Sequence, residues 1–552
     1  MRISIDTFKG AIPKLDDTKL PPQAATLARN CGVESGALAP LHESILLQAG
    51  AVADFHLHKG EILTFAARTS VAPGPVASDR LYIMAEGTDP VMKVMPAGTE
   101  YPLAVPYPNA PPSVGIAVAA PEPEPEYLRD DNNDIVLSES GDPVILVDAI
   151  PLEVETMVFA YTWVTVFDEE SLPSPPSADI DVTEGSTVAI GFPDAPPSGS
   201  RIDRLRVYRA VTGASGTTDF LFIKELNTGA ASYVYDAEAD PTQEPIPSTF
   251  YDPPISGLHG LTAMQNGMMA AFKGRELYFC EPFRPHAWPA GYMLTTDYDI
   301  VALVAMGSTL GVLTAGTPYR INGSAPENMQ MERLEINAPC VSADSVVDFG
   351  HSAFYATWDG LVTISPGGAD VVSAGLFSRE TWRAMDPATM RAGRYDGAYV
   401  FTYTAGGQAR TGILDLADGA AGWIETDTVA AVLRHDIASG ALHYADGTGI
   451  HEFDPATGSP RALVWRSGIA ALTMPTTFAA ARFEGEALGA DEADTGFSAR
   501  IYRDGALLHT VTALNTSLRL PDGKGTRWQI EIEGKVKITR ATIAGSMREL
   551  IG

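Results

Sequence analysis

The residue whose surroundings come closest to a chemical site is His286, in the segment Pro282-Phe-Arg-Pro-His-Ala-Trp-Pro289. A histidine can serve as a general base or as a metal ligand, because its imidazole changes charge close to neutral pH. Either role needs a partner, such as a carboxylate that orients the ring, and this segment contains none. A structural histidine that orients a proline-rich connection is the interpretation that we favour.

The other histidines and the cysteines form no established metal-binding pattern. Two histidines alternate on one predicted strand and two flank a predicted turn: His56 and His58, then His443 and His451. Metal binding by these pairs is conceivable, and nothing else in the sequence supports it. The three cysteines are odd in number and far apart: Cys31, Cys280 and Cys340. They predict neither a disulfide framework nor a zinc site.

One acidic segment has the alternation that opens a calcium-binding loop, with Asp130, Asn132 and Asp134 at every second position. The rest of the pattern is missing. Ile135 stands where the loop needs a glycine, and Gly141 stands where it needs a bidentate glutamate. We therefore predict no metal here, and no catalytic or cofactor-binding residue anywhere in the chain.

The sequence has none of the common enzyme signatures, such as G-x-S-x-G, H-E-x-x-H, a P-loop or a dinucleotide fingerprint. We predict that the protein is not an enzyme and carries no cofactor. Five tryptophans could stack on sugar rings, although such indoles more often fill the cores of β-sheets. They are Trp288, Trp358, Trp382, Trp423 and Trp465. A glycan-binding or glycan-cleaving receptor protein is therefore the alternative function.

Short β-strands must position these residues. Between residues 258 and 335, apolar runs of strand length are separated by Gly, Asn and Pro. They predict strands over 261–272, 276–280, 300–305, 309–314 and 318–321. The connections are shorter than the crossovers that parallel strands require, so we predict antiparallel meanders.

The same strand-turn-strand phrase recurs along the chain, at residues 55–66 and 269–280 and then three times around Asp-Gly. Asp-Gly between apolar residues is a strong hairpin signal, since both residues tolerate a positive φ. The glycines of these turns, Gly360, Gly397 and Gly447, are 37 and 50 residues apart. A spacing of roughly 40 to 50 residues is typical of four-stranded propeller blades, although a large sandwich also spaces its turns regularly.

Length and composition favour several all-β domains. A chain of 552 residues exceeds what one core usually supports, and 41 prolines and 51 glycines accompany little helical periodicity. One short helix is predicted after Ser378, a suitable N-cap. The first residues lack the apolar core of a secretory signal, and no apolar run is long enough to cross a membrane. We expect folding in a reducing cytoplasm.

The predicted fold class is all-β: a β-propeller with an inserted fibronectin III-like β-sandwich and a small C-terminal β-sandwich. The fibronectin III likeness comes from the strand phrases at residues 204–209 and 232–236. The first segment cannot form its own core, so we expect it to lie over the main body or a neighbouring subunit. The predicted segments are an extended N-terminal docking arm (1–43), the first blade (44–105), a Pro-rich connector (106–152), the sandwich (153–252), the remaining blades (253–466) and the C-terminal sandwich (467–552).

The formal net charge of −31 argues against a surface built to bind nucleic acid through counterion release. Acidic surfaces commonly serve solubility, and this is the explanation that we favour. A negative wall would also let a stiff polyanion slide past without binding. Three segments are predicted to be solvated acidic surface: Glu169-Glu170, 236–240 and 484–494.

Taken in order, several phrases resemble those of tail structural proteins of tailed bacteriophages, and the opening resembles the start of tail-nozzle proteins of short-tailed phages. In the opening, a Gly-x-x-Pro phrase precedes an Asn and a Gly-x-Leu-x-Pro phrase. The opening phrases span 8–16, 20–22, 28–30 and 35–40, and the later ones span 280–289, 316–319, 323–326 and 375–382.

This resemblance implies a non-enzymatic virion protein located in the tail and assembled in the host cytoplasm. It implies a homo-oligomer, a hexamer, that forms a propeller-bearing tube at the distal tail, closing the DNA channel and later passing the DNA. The implied partners are other tail proteins such as an adaptor ring or fibres, the passing viral DNA without sequence specificity, and the host cell surface. The family implies no catalytic residues.

Overall fold

A computed structural model describes residues 1–148, 150–212, 218–236, 241–242, 244–416, 422–489 and 492–550. Its regular elements are nearly all β-strands, which confirms the all-β prediction. The α-helices are α1 (Arg379–Arg383) and α2 (Glu492–Thr495), and Ser378 caps α1 by accepting a hydrogen bond from the N–H of Thr381. No helix within the described ranges is long and apolar enough to span a membrane. Single 3₁₀ turns occur at Gln265–Gly267, Ala290–Tyr292, Pro326–Asn328, Ala343–Ser345, Ser373–Gly375, Pro387–Thr389 and Met547–Leu550.

The strands before the insertion belong to several different sheets. They are β1 (Arg2–Ile5), β2 (Ala25–Arg29), β3 (Cys31–Gly32), β4 (Ala39–Pro40), β5 (Ile45–Ala49), β6 (Asp54–His58), β7 (Glu61–Phe65), β8 (Thr69–Pro73), β9 (Arg80–Ala85), β10 (Val91–Val94) and β11 (Thr99–Pro102). β8 to β11 form a four-stranded antiparallel meander, while β6 and β7 form a separate hairpin. The prediction of a single blade over 44–105 is therefore corrected to one strand of a distant sheet (β5), a hairpin and one four-stranded sheet.

The inserted segment contains two three-stranded antiparallel sheets, β12-β18-β21 and β16-β19-β20, whose facing apolar side chains form one core. Its strands are β12 (Ser113–Val118), β13 (Glu126–Tyr127), β14 (Ile145–Val147), β15 (Val154–Met157), β16 (Phe159–Thr165), β17 (Ile180–Thr183), β18 (Thr187–Gly191), β19 (Ile202–Thr212), β20 (Thr218–Asn227) and β21 (Ser232–Asp236). β12 lies inside the predicted connector 106–152, which corrects that boundary: alternating apolar residues pair it with β18.

A proline-rich segment, Ser171-Leu-Pro-Ser-Pro-Pro-Ser177, runs along the outer edge of β16. Each of its three serines donates its backbone N–H to a carbonyl of β16, and its hydroxyl accepts the N–H of the same β16 residue. The pairs are Ser171 with Trp163, Ser174 with Tyr161, and Ser177 with Phe159. Three residues of the proline-rich segment pass for every two residues of β16, so the same pair of hydrogen bonds recurs at each serine.

After the insertion, four-stranded antiparallel meanders follow one another. Their strands are β22 (His259–Ala263), β23 (Met269–Lys273), β24 (Glu276–Phe279), β25 (Leu294–Thr295), β26 (Ile300–Met306), β27 (Thr309–Thr314), β28 (Tyr319–Asn322), β29 (Gln330–Arg333), β30 (Val347–Asp348), β31 (Ala353–Ala356), β32 (Leu361–Ser365), β33 (Gly368–Val371), β34 (Arg391–Tyr395), β35 (Ala398–Ala405), β36 (Gln408–Asp415), β37 (Gly422–Thr426), β38 (Val432–His435), β39 (Leu442–Ala445) and β40 (Gly449–Glu452). The next strand, β41 (Leu463–Ser467), pairs with β2 and lies outside these meanders. The predicted strand 261–272 is corrected to two, because Asn266 and Gly267 have positive φ (63° and 72°) and break it.

The sheets close into a propeller-like ring. The first strands contact one another in the order β6, β8, β22, β26, β30, β34, β38 and back to β6. Apolar side chains fill the space between neighbouring sheets, as where Met84 packs with Met269. β5 is the fourth strand of the last sheet, antiparallel to β40. The early strand therefore ties the two ends of the ring together.

The C-terminal strands are β42 (Ala470–Thr476), β43 (Ala480–Ala487), β44 (Ser498–Arg503), β45 (Ala506–Val511), β46 (Leu518–Arg519), β47 (Gly525–Gly534) and β48 (Val536–Ala544). One sheet has the order β1-β48-β43-β46. The other continues from β34–β37 through β2 and β41 to β47, β44 and β45. The prediction of a separate sandwich over 467–552 is corrected, because β1 completes the first sheet, and β2 and ring strands continue the second.

The predicted docking arm, residues 1–43, packs within its own chain. Phe8 is buried and meets Trp465 edge to face, with ring centroids 5.0 Å apart. The indole N–H of Trp465 donates to the carbonyl of Lys9 at 3.0 Å. Many of the segment's apolar residues belong to the largest core cluster of the described residues. Of the two expected positions, over the main body or over a neighbouring subunit, the structure shows the first. The docking role of the segment stays a prediction.

Candidate functional site

A buried ion pair of the inserted domain lies where that domain meets the ring. The guanidinium Nε of Arg201 lies 2.7 Å from Oε2 of Glu169, and both side chains are nearly inaccessible, at 3% and 7% exposure. Arg201 also donates to the carbonyls of Pro102 and Leu103, the end of the last ring strand before the insertion. The two hydrogen bonds of Arg201 to these carbonyls therefore link the inserted domain to the ring. Removing either partner of such a buried ion pair leaves an uncompensated charge, which is strongly destabilising.

The carboxylate of Glu170, the residue after Glu169, is also hydrogen-bonded within the chain. Its carboxylate accepts hydrogen bonds from the hydroxyls of Thr162 (2.8 Å) and Tyr208 (2.6 Å) and from Arg206 (2.9 Å). Burial, together with the Glu170 charge, raises the pKa of the Tyr208 phenol. Glu169-Glu170, predicted to be solvated acidic surface, is therefore corrected to a buried joint. Of the other two predicted acidic segments, residues 237–240 and 490–491 lie outside the described residues.

His286 lies at the same joint. Its Nε2 is 3.2 Å from the carbonyl oxygen of Glu170, its ring meets Tyr251 edge to face, and only 2% of the residue is exposed. Burial lowers the pKa of His286 to about 4, so the imidazole is neutral at neutral pH and its Nε2–H donates to that carbonyl. This arrangement suits the structural role that we favoured from the sequence.

The burial of His286 predicts a pH-dependent stability. Unfolded, its pKa is about 6.5; folded, it is about 4. As the pH falls from 6.5 to 4, the unfolded state binds a proton that the folded state does not, so the free energy of unfolding should decrease by roughly 3 kcal/mol. In urea titrations at each pH, His286→Gln should lack this part of the decrease. Parallel curves for the wild type and the variant would contradict the prediction, and the exposed His351→Gln is the control.

Ion pairs between inner strands occupy the centre of the ring. Asp54, 2% exposed, accepts two hydrogen bonds from Nη2 of Arg434, at 2.7 and 2.8 Å. Arg68 donates to Asp344 at 2.6 Å, and Arg391 lies 3.8 Å from the same carboxylate. The cavity among these residues is about 170 Å³. A second cavity, of about 280 Å³, is lined by the inner strands β6, β8, β22 and β26. Both cavities are smaller than the roughly 300–1,000 Å³ of ordinary ligand pockets, so neither could hold a duplex.

The histidine pairs lie on ring strands without forming a metal centre. Burial and the nearby charge of Arg434 lower the pKa of His56 to about 4. Burial also lowers the pKa of His58 and that of His443. The ring of His451 stacks on Tyr444, with centroids 4.9 Å apart. Within the described ranges, no three His, Cys, Asp or Glu side chains are grouped so that they could hold a metal ion.

The calcium-like segment forms a tight turn. Oδ1 of Asp130 accepts the backbone N–H groups of Asn132 and Asp134, at 2.9 and 3.0 Å. The carboxylate that would begin a metal loop thus organises the turn itself. Burial raises the pKa of each cysteine thiol to about 12, namely Cys31, Cys280 and Cys340.

Four of the five tryptophans that could bind sugars are core residues: Trp288, Trp382, Trp423 and Trp465. The fifth, Trp358, is 46% exposed and lines a cavity of about 500 Å³ with Asn337, Asp359 and Arg383. Arg383 donates to Asp359 at 2.7 Å and to the carbonyl of Trp358 at 3.2 Å. The sequence analysis missed Asn337 and Arg383, since they come from different elements and share no spacing. The signal for Trp358 was its place beside the Asp359-Gly360 turn, where side chains reach solvent.

No protein-family model matches this chain, and no curated protein matches it. Structural likenesses are remote. The WD40 domain of Neurospora crassa Pan2 has 9% identity and a TM-score of 0.25, covering 49% of this chain and 86% of its own. The extracellular domain of a putative one-component system, BT4673 from B. thetaiotaomicron, has 9% identity and a TM-score of 0.27, covering 90% and 69%. Dihydro-heme d1 dehydrogenase NirN has 14% identity and a TM-score of 0.27, covering 74% and 83%. Such values are too low to support any inference about function.

Proposed function

We propose that this protein is a non-enzymatic structural component of a bacteriophage tail, and that its copies form a nozzle ring at the distal end. The observation that carries the proposal is that the opening phrases resembling phage tail proteins occupy essential packing positions. A Cβ on Gly10 would lie 2.7 Å from the backbone N of Trp423. The side chain of Asn30 donates to Asp427 and accepts its N–H. The resemblance therefore falls on residues that the fold requires.

The resemblance implies six chains, and in this proposal DNA passes through a lumen that they enclose. It does not pass through the ring of a single chain, because ion pairs occupy the centre of that ring. The charge of −31 suits such a wall. Duplex DNA carries about one negative charge per 1.7 Å, and a basic wall would hold it. Screening limits the repulsion to about 8 Å from the wall at physiological salt. Acidic side chains should therefore be denser on the inner wall than outside.

We further propose that the inserted domain is a fibronectin III-like module serving as a spacer or contact surface, and that tail proteins such as an adaptor ring or fibres bind the assembly. The position implies contact with the host cell surface. Core residues on both facing sheets of the insertion, such as Trp163 and Ile190, support an independently packed module. None of these roles requires a catalytic residue.

The decisive experiment locates the protein in a particle. Antibody labelling and cryo-electron microscopy should place it in a ring at the distal tail, with an acidic lumen, and sizing of the purified chain should give an oligomer. A strictly monomeric protein that is absent from virions contradicts the proposal. A lumen lined by lysine and arginine contradicts only the proposal that an acidic wall lets the DNA slide past.

The second candidate is a glycan-binding or glycan-cleaving tail-tip protein, which the exposed Trp358 and its neighbours favour. Asp359 and Arg383 would supply polar contacts beside the indole, the arrangement that sugars prefer. Silence on glycan arrays, together with no loss of polysaccharide viscosity, would count against it.

A further inference from the structure

The cleft beside Trp358, here called the indole cleft, is held in shape by the short helix α1. The indole N–H of Trp382 donates to the carbonyl of Thr357 at 2.8 Å, and Nε of Arg383 donates to the carbonyl of Trp358 at 3.2 Å. Thr357 is buried, and its hydroxyl donates to the carbonyl of Gly360. The turn that carries Trp358 is therefore fixed by hydrogen bonds on both sides of the indole. A surface whose geometry is set before binding loses little freedom when a ligand arrives.

The charges at the indole cleft balance. One carboxylate and one guanidinium line it, and they are joined, with Nη2 of Arg383 2.7 Å from Oδ1 of Asp359. The adjacent helix residues Arg379 and Glu380 add one charge of each sign, and Arg379 lies 3.4 Å from Oδ2 of Asp359. A ligand anion would meet Asp359 as well as Arg383, and a ligand cation would meet Arg383 as well as Asp359. Neither ion gains from this arrangement, so the cleft favours an uncharged ligand.

The polar groups of the cleft supply both hydrogen-bond donors and acceptors. The carboxylate of Asp359 accepts, the guanidinium of Arg383 donates, and the exposed side-chain amide of Asn337 does both. Adjacent hydroxyls on a sugar ring have the same double character. The C–H groups of a pyranose form an apolar face, which suits the exposed indole of Trp358. The cleft therefore matches a neutral pyranose in charge, in hydrogen bonding and in its apolar surface.

We propose that the indole cleft binds one neutral pyranose unit of a glycan and does not cleave it. This rests on the second candidate function above, to which it gives a ligand class and a choice of binding over cleavage. Hydrolysis of a glycosidic bond usually takes a pair of carboxyl groups that flank the bond. Among the described residues that line the cleft, Asp359 is the only one with a carboxylate, and that carboxylate is already bonded to Arg383.

The fluorescence of Trp358 can report on this site separately from the rest of the chain. Trp358 is 46% exposed, whereas the other six of the seven tryptophans are at most 5% exposed. Acrylamide should therefore quench mainly Trp358, and a sugar lying on the indole should protect it. The test is acrylamide quenching of the full chain with and without sugar. A glycan array selects the sugars, and each neutral sugar is paired with its uronate and its amino-sugar counterpart.

At least one neutral sugar should protect Trp358, and both of its charged counterparts should bind more weakly. Measured by calorimetry, Trp358→Ala should weaken binding about tenfold, because the stacking surface is lost. Asp359→Asn keeps the shape of the side chain and leaves Arg383 without its counter-charge, so binding of the uronate should strengthen relative to the neutral sugar. Tyr298→Ala is the matched control, since it removes a ring of similar exposure (47%) outside the cleft, and it should bind like the wild type.

The outcomes separate this inference from the second candidate function. If a uronate binds the wild type as tightly as its neutral counterpart, or if Trp358→Ala binds the glycan unchanged, the inference is overturned while glycan binding stands. Release of new reducing ends from a bound glycan overturns the choice of binding over cleavage. Silence of the array, with no sugar protecting Trp358, overturns both the inference and glycan binding. Unchanged urea midpoints establish that the variants are folded.

Discussion

Arg201→Met should lower the free energy of unfolding by about 3–5 kcal/mol, because it leaves the buried carboxylate of Glu169 without its counter-charge. The pair is 2.7 Å apart and almost inaccessible to water. The substitution also removes the donors that Pro102 and Leu103 accept from. Since these carbonyls belong to the ring side of the joint, the loss should loosen the inserted domain from the ring as well as destabilise the chain.

Urea unfolding followed by tryptophan fluorescence measures the effect. Arg333→Met is the matched control: its partner Asp297 is 3.7 Å away and both side chains are more than half exposed. Surface pairs of this kind contribute about 0–1 kcal/mol. Adding Glu169→Leu to Arg201→Met should recover part of the loss, because no unpaired charge then remains. Equal effects of Arg201→Met and Arg333→Met would show that the buried pair does not hold the joint.

Gly10→Ala should destabilise the fold by about 1–3 kcal/mol or more, since the added methyl group overlaps backbone that cannot move aside. Its Cβ would lie 2.7 Å from the N of Trp423 and 2.9 Å from the carbonyl carbon of Gly422. The closeness is mutual, because a Cβ on Gly422 would lie 2.5 Å from the Cα of Gly10. The two chain segments thus touch backbone to backbone.

Gly32→Ala is the control within the same N-terminal segment, because no atom lies within 4 Å of its Cβ position. We expect this control to change the free energy of unfolding by less than about 0.5 kcal/mol. Thermal unfolding of the two variants beside the wild type provides the comparison. Two equally mild effects would mean that the first 43 residues can separate from the ring, contrary to their packing.

Local features of the fold could be predicted because they depend on neighbouring residues. The turn at Asp396-Gly397 has φ values of 42° and 79°, and that at Asp504-Gly505 has 49° and 85°. Both are the double positive-φ turns that Asp-Gly favours. Strand β27, Thr309–Thr314, has the bounds that its apolar run predicts.

Long-range pairing could not be predicted in the same way. β1 pairs with β48 and β5 pairs with β40 across several hundred residues, and no local pattern records such a partner. An apolar run such as β5 fits the start of a new blade as well as the end of the last one. The alternation of apolar and polar residues determines which face of a strand is buried, but it does not determine which strand pairs with it.

The joint shows the same limit for the candidate site. Glu169 and Glu170 precede a proline-rich stretch, a context typical of solvated loops. Their partners Arg201 and Arg206 are more than thirty residues away, on or beside β19. The acidic residues can therefore be recognised in the sequence, but their arginine partners in the folded chain cannot. Trp358 is the exposed one of the five tryptophans considered, and in the sequence its place beside the Asp359-Gly360 turn is what distinguishes it.

The proline-rich segment along the outer edge of β16 affects how neighbouring copies can associate. A bare strand edge is a template on which another chain can extend the sheet, and this is how many β-proteins begin to form fibrils. Here the edge is already paired with a segment in which three of seven residues are prolines and have no N–H to offer. Many copies held side by side can therefore touch through their side chains at this edge without their sheets merging into an irreversible fibre.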